Sequence, residues 1–166
     1  AWFAGIEREL AALPAGFAPT SVFFGGGTPT ALDERDLARL LDLVRARVDL
    51  RNLAEWTCEA NPGTLSPAKL TCLRAGGVNR LSLGAQSFAD ATLRRLGRIH
   101  AAEETRAAVA QARAAGFANV GLDLIYGVPG VARKTFQADV EAALALAPEH
   151  LSCYCLEIEA GTPFAR

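Results

Sequence analysis

Five short apolar runs recur along this chain, separated by stretches with helical periodicity. That alternation restricts the fold more than any other feature. The runs cover residues 21–24, 56–59, 80–84, 119–125 and 151–156. Strands that alternate with helices predict a parallel sheet with right-handed crossovers and helices outside it. The helices are marked by spacing and by their ends. Ile6, Leu10 and Leu13 recur at helical spacing over residues 1–13, and Pro14 and Gly16 end that element. Leu37, Leu40, Leu41, Val44 and Val48 form one face, with Asp33 as N-cap. Ser66 caps the next helix, with Pro67 at its first position, Leu70 and Leu73 inward and Gly76-Gly77 as its stop. Asp90 is expected to cap a short helix carrying Leu93 and Leu96. A further helix runs from about Glu103 to Ala115, and Phe136, Val140 and Leu144 define the last.

The chain has 166 residues, enough for one domain with a sizeable core. Half of it is hydrophobic (51%), charged residues make up 21%, and the net charge is −1, which gives no electrostatic case for nucleic acid or an anionic membrane. Charges interrupt every long apolar stretch, so no integral membrane segment is expected. The opening residues carry no basic leader or signal-type core. Cys58, Cys72, Cys153 and Cys155 are unevenly spaced and do not suggest a disulfide framework, so a cytoplasmic setting is expected. Met is absent even at position 1, which leads us to expect a piece of a longer protein.

The first apolar run, read as a buried strand, passes directly into Gly25-Gly26-Gly27-Thr28-Pro29-Thr30. Glycines without Cβ atoms let a ligand approach the backbone, and strand, glycine turn, helix is a geometry that aims N–H groups at a polar or anionic ligand. A tight turn with no ligand needs only one or two special φ angles, so three glycines favour ligand binding. A dinucleotide fingerprint would need Gly where Thr30 stands, and a phosphate-binding P-loop would need Gly-Lys-Ser/Thr after the glycines; neither occurs.

The chemically capable residues fall at equivalent places. Thr28 follows the first strand, Glu59 ends the second, and Gln86 lies beyond the third. Asp123 comes late in the fourth and Tyr154 late in the fifth. In a parallel sheet these positions share the C-terminal edge, where open α/β sheets and βα barrels hold their sites. Each also has an ordinary reading. Glu59 could be a solvated strand end. Asp123, inside an apolar strand, needs a partner, for which Arg80 or Arg98 are candidates. Arg98 could be a surface side chain, and His100 a local hydrogen-bonding residue. Cys153 and Cys155 share a strand face, but two thiols do not make a zinc site, and packing is the expected role.

The phrases Phe24-Gly25-Gly26-Gly27-Thr28-Pro29-Thr30, Glu59-Ala60-Asn61-Pro62-Gly63-Thr64, Gly77-Val78-Asn79-Arg80-Leu81-Ser82-Leu83-Gly84-Ala85-Gln86-Ser87-Phe88, Leu96-Gly97-Arg98-Ile99-His100 and Asp123-Leu124-Ile125-Tyr126-Gly127-Val128-Pro129-Gly130 stand together in order. They resemble the radical S-adenosylmethionine (SAM) proteins of the oxygen-independent coproporphyrinogen III oxidase (HemN) type. The ending Tyr154-Cys155-Leu156-Glu157-Ile158-Glu159-Ala160-Gly161-Thr162-Pro163-Phe164 looks more like the heme chaperone (HemW) branch. The resemblance implies a partial (β/α)6 barrel, with residues 1–166 the central part of a single core domain cut at both ends. It also implies SAM and a [4Fe-4S] cluster at the C-terminal ends of the strands, with heme as a further ligand. By carry-over, Gly26, Gly27 and Thr28 would hold the amino-acid end of SAM. Glu59 would meet its ammonium or ribose, and Gln86, Arg98 and Asp123 would complete the pocket. The family's Cys-x3-Cys-x2-Cys cluster motif is absent, so the cluster ligands are expected upstream, no metal ligand is assigned here, and this stretch alone should not reduce SAM.

Three functions follow from the resemblance. One is a heme chaperone that binds heme or porphyrin and passes heme to an accepting protein. Another is a true oxidase that decarboxylates propionates through a 5′-deoxyadenosyl radical. The third is a non-catalytic scaffold. The residues name no catalytic group that would choose among them.

Overall fold

The computed structural model describes residues 1–165. Helix α1 (Trp2–Ala11) precedes strand β1 (Ser21–Phe24). Then follow α2 (Glu34–Arg47), β2 (Glu55–Ala60), α3 (Pro67–Gly76) and β3 (Arg80–Gln86). Two helices, α4 (Asp90–Arg95) and α5 (Ala102–Ala114), lead to β4 (Asn119–Tyr126), and α6 (Arg133–Leu144) leads to β5 (His150–Cys155). The five strands form one parallel sheet in the order β1-β2-β3-β4-β5. The sheet is open among the described residues, an arc of a barrel rather than a closed one.

Local chemistry explains the boundaries. The Asp33 carboxylate accepts the Asp36 N–H at 2.8 Å and starts α2. The Ser66 hydroxyl accepts the Lys69 N–H at 3.1 Å and starts α3, with Pro67 in the first turn. Gly77 ends α3 in the left-handed region at φ 107°, a conformation that costs a Cβ-bearing residue. Asp90 does not cap α4 as expected. It is the first residue of that helix, and its carboxylate accepts from Ala102 N–H at 2.9 Å, satisfying the start of α5 instead.

Side-chain alternation along the strands separates two faces. Trp56, Cys58, Leu81, Leu83, Val120, Leu122 and Leu124 are all buried and build the core with Leu37, Leu41, Leu70, Leu73, Ala108 and Ala112 of the helices. The intervening positions carry mostly polar or small residues, Thr57, Glu59, Arg80, Ser82, Gly84, Gln86, Gly121, Asp123, Ser152 and Tyr154, with Phe23 and Ile125 as the large apolar exceptions. This second face is uncovered by helices, and it is where chemistry can occur.

Several expectations need correction. Strand β1 is not buried: it is a sheet edge, and Phe23, on the uncovered face, is 58% exposed. Leu144, one of the three residues that define α6, ends that helix and is 59% exposed. Cys153 and Cys155 are exposed on edge strand β5 rather than packed. Strand β3 reaches two residues beyond its expected end and includes Gln86, and β4 includes Tyr126.

Candidate functional site

A hollow of about 270 Å³ opens at the C-terminal ends of the strands on the uncovered face. All seven singled-out residues border it: Gly26, Gly27 and Thr28 from the turn after β1, Glu59 from β2, Gln86 from β3, Arg98 from the loop after α4, and Asp123 from β4. Tyr154 of β5, noted on the same rim, joins them.

The glycine turn is tied to β2 by one bond, in which Gly26 N–H donates to Glu59 Oε2 at 3.3 Å. Gly26 sits at φ 102°, which requires glycine. At Gly25 a Cβ would meet the exposed Phe23 ring, which can give way, and would come within 3.1 Å of Glu59 Cδ. The turn therefore lies directly against the carboxylate.

Asp123 finds neither of the cations expected for it. Its partner is Ser82, whose hydroxyl lies 3.1 and 3.3 Å from the two carboxylate oxygens. Arg80 bonds Thr57 Oγ1 at 3.1 Å and lies 3.8 Å from Glu55. Ser82 borders the hollow and escaped sequence reading because it looked like an ordinary strand residue. The available signal was period-2 alternation between Leu81 and Leu83, which turns Ser82 to the face of Glu59 and Asp123.

Gln86 is held in an unusual conformation. The register between β3 and β4 passes from Leu83↔Leu122 to Gln86↔Leu124, three steps against two, so a bulge lies between. Gln86 has φ 63°, and its Nε2 lies over Gly84, where a Cβ would come within 2.7 Å of it. Glycine at 84 thus makes room for the amide. His100 is a buried local hydrogen-bonding residue, with Nε2 3.3 Å from Ala85 O behind the bulge.

Charge around the hollow is unbalanced by the protein itself. Among the described residues, no cationic side chain pairs with Glu59 or Asp123. Arg98 is half-buried, and its Nε is shielded from solvent without a partner. Two carboxylates in want of a cation and a guanidinium in want of an acceptor therefore face one space. Such a set complements a ligand carrying both an ammonium or hydroxyls and a carboxylate.

The thiols offer a contrast. Burial, and then the Glu59 charge, push Cys58 up to about 12, so it stays a thiol. No group of three or more His, Cys, Asp or Glu is placed to hold a metal ion among the described residues.

The radical SAM superfamily profile matches residues 4–143. The chain belongs to the radical SAM superfamily. Family membership brings SAM and a [4Fe-4S] cluster as the associated cofactors. The chain is 42% identical over 145 residues to the heme chaperone HemW of Bacillus subtilis, covering 87% of this chain and 38% of that protein. It is 43% identical over 144 residues to HemW of Escherichia coli, with the same coverage. Coproporphyrinogen III oxidase (HemN) from E. coli, described as a radical SAM enzyme, superposes with a TM-score of 0.85 at 32% identity, over 99% of this chain and 38% of that one. An archaeal Elp3 at 21% identity and TM-score 0.74 shares the fold. The resemblance drawn from the sequence phrases is thereby borne out, as is the open barrel arc. The chain spans about two fifths of the relatives it matches. No helix among the described residues is long and apolar enough to cross a membrane.

The residues present fit SAM but not the cluster. The shielded, unpartnered Arg98 Nε and the unpaired carboxylates suit an amino acid-bearing sulfonium nucleoside. Cys58 lies on β2 facing the core, Cys72 on α3, and Cys153 and Cys155 on β5, so no three thiols converge on the hollow.

Proposed function

We propose that this chain is the central part of a radical SAM core domain and that the hollow at its strand ends binds SAM. The supporting observation is the complementary charge deficit around one cavity: Glu59 and Asp123 without a cation, Arg98 without an acceptor. In this reading Gly26, Gly27 and Thr28 cradle the amino-acid end. Glu59 takes the ammonium, and Arg98 forks onto the carboxylate. Asp123, held by Ser82, accepts from the ribose hydroxyls, and Gln86 supplies an amide from the neighbouring wall. SAM supplies a sulfonium whose cleavage drives the family's chemistry; this chain's residues bind it, orient it and limit its access to water.

The whole protein acts, in our reading, as a cytoplasmic heme chaperone of the HemW type, binding heme or porphyrin and delivering heme to an accepting protein. The named relatives at 40% identity and above support this choice. The cluster ligands would lie outside this chain. A second reading, coproporphyrinogen III oxidase, has the close superposition on HemN in its favour.

Two experiments test these readings in the full-length protein. Calorimetry of SAM binding is expected to show Glu59→Ala weakened by about 10- to 100-fold, the range of one charge-assisted hydrogen bond, with an unchanged unfolding profile. An unaltered affinity would remove Glu59 from the site. Anaerobic assay with coproporphyrinogen III is expected to yield no decarboxylated porphyrin; product formation would instead establish the oxidase.

A further inference from the structure

Gln86 is one of only two non-glycine residues with positive φ among those described, and it lies on the wall of the hollow. Such a conformation persists when the surroundings over-determine it. The residues that follow Gln86 are tied to a distant element. Phe88 N–H donates to Asp139 Oδ1 at 2.6 Å, and the Ser87 hydroxyl donates to Asp139 Oδ2 at 2.7 Å. The same hydroxyl accepts Ala89 N–H at 3.1 Å. Asp139 stands on α6, more than fifty residues away in sequence, and is 3% exposed. Ser87 is fully buried.

A buried carboxylate with no cation near it is costly, and burial holds the Asp139 carboxyl above the usual range against the lowering effect of its two bonds. A residue kept at such a cost is using both oxygens. One oxygen fixes a backbone amide and the other a hydroxyl, on consecutive residues directly after the bulge. Asp139 does not border the hollow where Gln86 acts.

We propose that Asp139 is a positioning residue for the ligand site: from α6 it clamps the Ser87-Phe88 turn and thereby sets the Gln86 amide over Gly84 and toward the hollow. The inference rests on the SAM-binding reading for its affinity readout, but the clamp itself does not. It makes α6, an outer helix, part of the machinery that shapes the cavity.

A double-mutant cycle in the full-length protein tests it. Asp139→Ala is expected to lower SAM affinity about fivefold to tenfold when Gln86 is present, and less than about twofold in a Gln86→Ala background, the non-additivity of residues acting as one unit. Ser87→Ala, a smaller change, covers the case in which Asp139→Ala fails to fold. It is expected to move in the same direction with the same dependence on Gln86, and Asp139→Asn, which keeps one acceptor for Phe88 N–H, to restore most of the affinity. Losses that multiply independently of Gln86, or no loss in either variant, would overturn the proposal. Amide hydrogen exchange separates this from failure of the SAM reading. Even in a protein that binds no SAM, Phe88 N–H is expected to be protected in wild type and to exchange faster in Ser87→Ala than its neighbours in β3. Equal exchange would count against the clamp.

Discussion

At the scale of single residues, the site depends on where Cβ atoms are missing as much as on which side chains are present. Gly84 leaves the space that Gln86 Nε2 occupies. Gly84→Ala would push that amide aside. Because the obstructed atom is the end of a flexible side chain, little stability should be lost. We expect a melting temperature close to wild type and a several-fold weaker SAM affinity, readable by calorimetry on the full-length protein. Unchanged affinity would mean that the amide does not contribute from its observed position. Cys58 tests the other face. Its thiol, raised to about 12 by burial and Glu59, should resist alkylation at pH 8 in the folded protein and react only on unfolding. Labelling of Cys58 at the rate of a free thiol would contradict the packing of β2 against the helices.

Between elements, two contacts lend themselves to measurement. Gly76 at the end of α3 lies under Leu41 of α2, and a Cβ there would come within 2.6 Å of Leu41 Cδ1. Leu41 is 2% exposed and has nowhere to move. Gly76→Ala should therefore destabilise by about 1–3 kcal/mol despite the better helix propensity of Ala. Leu41→Ala alone should cost about 2–5 kcal/mol. The double variant should cost less than the sum in urea unfolding, because the new methyl enters the vacated space. Strict additivity would show that the helices separate instead. The second contact joins α5, β4 and β5. The Glu149 carboxylate accepts Val120 N–H and Arg113 Nη2, each at 2.8 Å, and these bonds hold its pKa below the usual range. A lowered folded value means that the stabilisation is present above the ordinary carboxylate pKa and is lost as pH falls through the folded one. Glu149→Gln should cost about 1 kcal/mol or less at pH 7, since the group is partly exposed and screened. The difference from wild type should shrink as the pH drops below 4. A gap independent of pH would sink this assignment.

Over the whole molecule, the sheet has two free edges among the described residues, β1 and β5, with Phe23 and Tyr154 exposed beside them. Unpaired edges are templates for strand addition. The 166-residue chain should accordingly gain mass with rising concentration in light scattering, and remaining monomeric at high concentration would show that the edges are protected. The same openness leaves the polar face of the sheet accessible. Helices cover only one side, and the hollow lies on the other, where five strand ends and their loops meet.

Much of this was legible in the order of residues. Periodicity, caps and glycine stops located the α-helices and strands to within a few positions, because those signals act over a single turn or a few residues. The convergence of Thr28, Glu59, Gln86 and Asp123 followed from one rule, that parallel strands share a C-terminal edge. Pairing across the sheet was a different matter. Ser82, not an arginine, partners Asp123, and Asp139 of an outer helix grips the turn after Gln86. No local pattern encodes either contact, because each joins segments forty or more residues apart through strand register and helix docking. The sequence determined which groups reach the rim; only the tertiary structure decided which of them satisfy one another and which stay unpaired, because that depends on distances that packing alone establishes.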